Sequence, residues 1–139
     1  MINTKYLDDM IAKLSSFDVE GSIRKATESY SVEAVALNVD QLESGISSLG
    51  TPTPNYSPRG KKRGRGRITF KETGAYHKSI RAVVTKTGRL SMTSSDKKAK
   101  YLRNYKGKTR TLGLTKKSMS KLKPRVLAKF KSIFTNHMK

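Results

Sequence analysis

The chain contains no cysteine and no tryptophan. Without cysteine there is no disulfide framework, no thiolate nucleophile and no sulfur-ligated zinc, so a reducing cytoplasm is the expected place of synthesis and assembly. Histidine is nearly absent: His77 and His137 have no Cys, Asp or Glu at metal-ligand spacing, so neither a metal nor another cofactor is expected. Beyond residue 50 the carboxylates are Glu72 and Asp96 alone, which leaves no motif for paired acid–base chemistry. No strand–turn–helix nucleophile motif is present. The glycines between 60 and 66 lack the Gly-x4-Gly-Lys-Ser/Thr order that cradles phosphate. No catalytic residue is assigned, and the chain reads as a non-enzyme. Long apolar runs are missing as well: no segment approaches the ~18 residues of a membrane span, and Met1-Ile2-Asn3-Thr4-Lys5 does not open a signal peptide. With 35% hydrophobic residues in a chain of 139, one domain with a small core is expected.

What is abundant is positive charge, +20 net, and it is unevenly placed. Residues 1–50 hold four basic and eight acidic side chains, 4 − 8 = −4; residues 51–139 hold 26 basic and two acidic, 26 − 2 = +24. Such a field draws polyanions and says nothing about fold.

Four regions follow from the local pattern. Residues 1–49 form an acidic helical part. Thr4 can cap a helix in which Leu7, Met10, Ile11 and Leu14 make one stripe, and Asp18 can cap a long second helix. In that helix Ile23, Ala26, Tyr30, Val35, Val39, Leu42, Ile46 and Leu49 recur at helical spacing until Gly50 and Thr51-Pro52-Thr53-Pro54 end it. The stripe suits the protein's own sheet better than a coiled coil, since it persists for about two heptads. Residues 50–67 are a Pro-, Gly- and Arg-rich arm expected to be mobile, with Arg59, Lys61, Lys62, Arg63, Arg65 and Arg67 as candidate nucleic-acid contacts, inter-subunit contacts or both.

Residues 68–114 read as a small sheet with short helices: a strand at Ile68-Thr69-Phe70, a helix of about two turns capped by Thr73, a hairpin, a short basic helix within 96–105, and an extended Thr109–Leu114. Residues 115–139 form a basic final helix, starting at Thr115 or Ser118, that Pro124 either begins or kinks. Its apolar stripe runs from Met119 and Leu122 to Ile133 and Phe134.

The hairpin can be argued from parity. Strands at 81–85 and 89–94 flank Lys86-Thr87-Gly88. A three-residue loop with Gly88 left-handed sets Val84 opposite Leu90 and Ala82 opposite Met92, so that Ile80, Ala82, Val84, Leu90 and Met92 share one apolar face. A two-residue loop would set Lys86 opposite Arg89 and mix apolar with polar residues. The expected fold is therefore α+β: a long N-terminal helix and a C-terminal helix packed on a small antiparallel sheet with a central hairpin, plus the basic arm.

The order of a long helix, a break, Thr73-Gly74-Ala75-Tyr76-x-x-Ser79-Ile80 running into a hairpin, a tyrosine-bearing segment and a last helix resembles the tail-completion and minor-tail (head–tail connector) proteins of tailed bacteriophages. The family's motif is typically Asp-Thr-Gly-Ala/Arg-Leu-x-x-Ser-Ile after a Pro. Here Glu72 stands for the Asp and Tyr76 for the Leu, with no Pro directly before. Leu112-Gly113-Leu114-Thr115 is similar to a passage in small virion proteins of phages related to the crAss-like group.

The resemblance implies a structural virion protein at the neck, a homo-oligomeric ring between portal or adaptor and tail proteins that extends or seals the genome channel. Contact with genomic DNA is possible for such a ring and contact with membrane is not expected. Val35, Val39, Leu42, Tyr76 and Ile80 are its candidate interface residues. The competing class is a basic nucleic-acid-binding protein, ribosome-associated or DNA-packaging, with the arm and the last helix on phosphates; a capsid-decorating or internal DNA-associated protein is a third. Against the binder stand the acidic first 50 residues and the lack of an aromatic platform or Gly-x-x-Gly loop.

Overall fold

The computed structural model describes residues 4–59, 66–71 and 73–139. Three N-terminal helices, α1 (Thr4–Ser16), α2 (Val19–Glu28) and α3 (Ser31–Glu43), precede a five-residue helix α4 (Ala75–Ser79) and the hairpin of β1 (Ile80–Val84) and β2 (Leu90–Ser94). A single turn α5 (Ala99–Leu102), a second small hairpin of β3 (Asn104–Tyr105) and β4 (Thr109–Arg110), and the long helix α6 (Lys116–Met138) complete it. The α+β class is as expected. Two separate antiparallel pairs, rather than one sheet, make up the β part.

The first hairpin has the expected register: Val84 pairs with Leu90 and Ala82 with Met92. Gly88 has φ +86°, and a methyl group there would meet Ile23 Cγ2 at 2.4 Å, so both its backbone and the seating of the loop on α2 require glycine. Exposure alternates along both strands, with Arg81, Val83, Ser91 and Thr93 outward.

The expected long second helix is broken twice. Asp18 does cap α2, accepting from the Gly21 N–H at 3.0 Å. In the last turn of α2 and just beyond it, the Thr27 and Ser29 hydroxyls donate to the carbonyls four residues back, and Tyr30 leaves helical geometry before α3 restarts. α3 then ends at Glu43, not at Gly50. Gly45 is left-handed at φ +70°, the Ile46 N–H reaches the Gln41 carbonyl and the Gly45 N–H the Leu42 carbonyl. This paired closure satisfies the terminal carbonyls six residues before the prolines act. Leu49, expected on the stripe, is 62% exposed.

Three further expectations change. Ile68-Thr69-Phe70 is not a strand: Phe70 is itself left-handed at φ +59°. Thr73 accepts from the Ala75 N–H at 3.3 Å as expected, but Gly74 is the capping residue and α4 is shorter than two turns. The basic 96–105 segment is helical only over α5, because Lys106 and Gly107 are both left-handed and turn Asn104-Tyr105 back against Thr109-Arg110. Pro124 lies inside α6, which begins where Thr115 accepts from the Ser118 N–H at 3.1 Å.

The core is small. Leu42, Phe70, Tyr76 and Ile80 are its buried centre, with Val35, Val39, Met92 and Leu112 packed around it. Two amides on α3 tie the chain beyond β4 to that core. Asn38, fully buried, donates to the Thr111 carbonyl at 2.8 Å and accepts from the Gly113 N–H at 3.0 Å. Gln41 donates to the Gly113 carbonyl at 3.0 Å and accepts from the Thr115 N–H at 2.9 Å. The two side chains thus supply the pairing that a neighbouring strand would otherwise provide.

Candidate protein and nucleic-acid interfaces

Leu42 and Ile80 have no exposed surface and Tyr76 is 4% exposed, and Val35 and Val39 pack against them. All five candidate interface residues therefore belong to the chain's own core, and are not a stripe offered to another subunit. The Thr73–Ser79 motif has a fold-setting role. Tyr76 Oη lies 2.6 Å from Thr111 Oγ1, Ser79 Oγ is bonded to both the Tyr76 carbonyl and Ser94 Oγ, and His77 Nε2 donates to the Thr69 carbonyl at 2.7 Å. Burial pushes the Tyr76 phenol pKa up, against a smaller lowering by the Thr111 hydrogen bond. Next to His77, Glu43 is held below its ordinary carboxyl value by the hydrogen bond and charge of Lys71.

Of the six candidate arm residues, Lys61, Lys62, Arg63 and Arg65 lie outside the described residues. Arg59 is exposed. Arg67 is a structural residue: it donates to the Thr53 carbonyl at 2.9 Å, and its side chain covers Gly45. The two ends of the arm are joined, with Tyr56 N–H to the Gly66 carbonyl and Ile68 N–H to the Pro54 carbonyl. The Thr73–Tyr76 turn and the Tyr56 end of the arm share a cavity of about 520 Å³ with Asp96, Lys98 and Tyr105.

Cations gather elsewhere too. On α6, Lys117, Lys121, Arg125 and Lys129 stand four residues apart and all are exposed, a row with one charge per turn. Arg125 is paired with Glu33. Among the described residues, Lys71 and Arg125 are the basic side chains beyond residue 50 that form an ion pair with a carboxylate, so the positive field is left largely uncompensated.

Two apolar surfaces are uncovered. On α1, Leu7, Ile11 and Leu14 are 42%, 59% and 49% exposed, and the helix has no buried residue. Its C-terminal end is held to the end of α6: Phe17, just past the helix, packs edge-on against Phe130 and Phe134, Lys13 donates to the carbonyls of Met138 and Lys139, and His137 Nε2 is 2.7 Å from the Lys13 carbonyl. The second surface is an open groove of about 560 Å³ between α2 and α6, closed at one end by the hairpin loop. Ile23, Leu90, Met119, Leu122, Val126 and Leu127 line it, with Arg89 and Lys123 as its charged members.

No family model, curated protein or solved structure matches this chain. Among the described residues no helix is long and apolar enough to cross a membrane, and no three potential metal ligands cluster.

Sequence periodicity marks the α1 stripe and the α6 stripe separately. It does not reveal that the first stays bare, or that the second meets α2 only along part of its length. Asn38 and Gln41 were missed as well, although their placement on the Val35–Val39–Leu42 side of α3 was a usable signal: a polar pair on an apolar face is buried only if something pairs with it.

Proposed function

We infer that this chain is a structural virion subunit of a tailed phage, a ring-forming head–tail connector or tail-completion protein at the portal–tail junction that extends or seals the genome channel. The observation that carries this reading is the pair of uncovered apolar surfaces on one small subunit, the α1 stripe and the α2–α6 groove. Two different surfaces per copy suit head-to-tail contacts, which close into rings when the rotation permits. The resemblance of the Thr73–Ile80 motif supports the same reading, since the motif holds the turn that places the hairpin. A net charge of +20 suits a subunit repeated around a DNA channel. Its partners in this reading are copies of itself, portal or adaptor, and tail proteins.

The row Lys117–Lys121–Arg125–Lys129 favours a second reading, a basic nucleic-acid-binding protein. The two separate on the mass of the purified protein by light scattering at low and high salt, with and without duplex DNA. A discrete DNA-free oligomer that survives high salt is expected. A monomer that binds DNA more steeply as salt falls would move the assignment to the second reading.

A further inference from the structure

We propose that the α2–α6 groove is the seat of α1 from a second copy of this chain, which makes the contact between subunits heterologous. The proposal rests on the homo-oligomer part of the reading above and adds the surface through which it forms. Leu7, Ile11 and Leu14 stand at offsets 0, 4 and 7, the spacing with which an amphipathic helix enters an apolar groove. At ~1.5 Å per residue the stripe is about 10 Å long and the α6 wall from Met119 to Phe130 about 16 Å, so the groove accommodates the whole stripe.

Charge complementarity selects the occupant. Asp8 lies three residues before Ile11 and so borders the stripe, while Arg89 and Lys123 are the charges of the groove. Among the described residues none of these three side chains has a hydrogen bond or an ion pair within its own chain. The same polarity holds over the whole chain, −4 in residues 1–50 against +24 in the remainder. At the groove the charge complementarity is local: α1 is neutral as a whole, with Lys5 and Lys13 against Asp8 and Asp9, but Asp8 is the charged residue next to the stripe, and a second copy brings that carboxylate to two cations. The chain's own α1 does not fill it: Phe17 meets Phe130 at the groove's end and Phe134 beyond it, Lys13 reaches the carbonyls of Met138 and Lys139, and Leu7, Ile11 and Leu14 stay exposed.

Because the chain has no cysteine, engineered thiols report the contact without ambiguity. Ile11→Cys and Leu127→Cys, both at exposed positions, are prepared separately, mixed and oxidised. The expected product is the mixed Ile11→Cys/Leu127→Cys dimer, which can form only between copies. A further variant, Ile11→Asp, keeps the fold by circular dichroism and weakens self-association by about thirtyfold or more, the loss expected when a central anchor is removed. Symmetric 11–11 or 127–127 products alone, or an oligomer that forms undiminished in Ile11→Asp, overturn this contact and leave the ring reading standing. A chain that remains monomeric at every concentration overturns both.

Discussion

Tyr76 joins two parts of the chain that are far apart in sequence, and the direction of its hydrogen bond can be worked out. Thr111 Oγ1 donates its one proton to the Leu102 carbonyl at 2.9 Å, so the Tyr76 hydroxyl is the donor to Thr111 Oγ1. Burial raises the phenol pKa above its ordinary value of 10.0. A raised folded-state value means that the unfolded chain loses this proton first. The contribution is therefore complete below about pH 10 and is lost as pH climbs through the folded-state value. Tyr76→Phe is expected to cost about 1 kcal/mol at pH 7, since Thr111 keeps its other partner. It should also flatten the loss of stability between pH 9 and pH 11. Urea unfolding followed by circular dichroism at several pH values reads both. A variant as stable as the parent at pH 7, or one with an unchanged alkaline decline, would remove the buried phenol from this role.

The helix α3 shows how side chains can stand in for a strand. Asn38→Leu keeps the branched shape, though not the volume, and strands the Thr111 carbonyl and the Gly113 N–H inside the protein, so a loss of about 2–5 kcal/mol is expected from two unpaired groups. Asn38→Asp retains an acceptor for Gly113 and should still lose the donor to Thr111. Chemical denaturation of both variants checks this, and a Leu variant within 0.5 kcal/mol of the parent (about the size of an ordinary surface substitution) would mean that water replaces the amide. Such elements also divide what is legible from what is not. The hairpin register could be read because a one-residue slip turns every side chain over, so parity left one acceptable answer. The second helix could not be read to its end: its apolar spacing continues through Ile46 and Leu49, and only the competing closure at Gly45 stops it. The five apolar residues nominated as an interface were core, because helical periodicity marks a covered face without saying whose surface covers it. The groove was hidden for the same reason, being made by three elements that meet only in space.

For the molecule as a whole, the uneven charge has to be set against its cost. Like charges at four-residue spacing destabilise a helix by a few tenths of a kcal/mol per pair, yet Lys117, Lys121, Arg125 and Lys129 follow one another at that spacing on an exposed face, relieved among the described residues where Glu33 meets Arg125. Removing the three unpaired lysines should therefore leave the fold intact or slightly more stable. If the row lies against phosphate, Lys117→Gln, Lys121→Gln and Lys129→Gln together release about three counterion equivalents fewer. The slope of log affinity for duplex DNA against log salt then falls by about 2–3. Titrations by fluorescence anisotropy at four or five salt concentrations measure that slope, with thermal unfolding of the same variant as the control for fold. An unchanged slope in a fully folded variant would take the row out of DNA contact and leave the charges of the other basic segments, Arg59 and the 97–110 region among them, to carry it. The α1 stripe and its groove lie on other faces of α1, α2 and α6, so the triple variant should still form the same oligomer. Loss of the oligomer with the slope would instead mean that DNA, and not the apolar contact, holds the copies together.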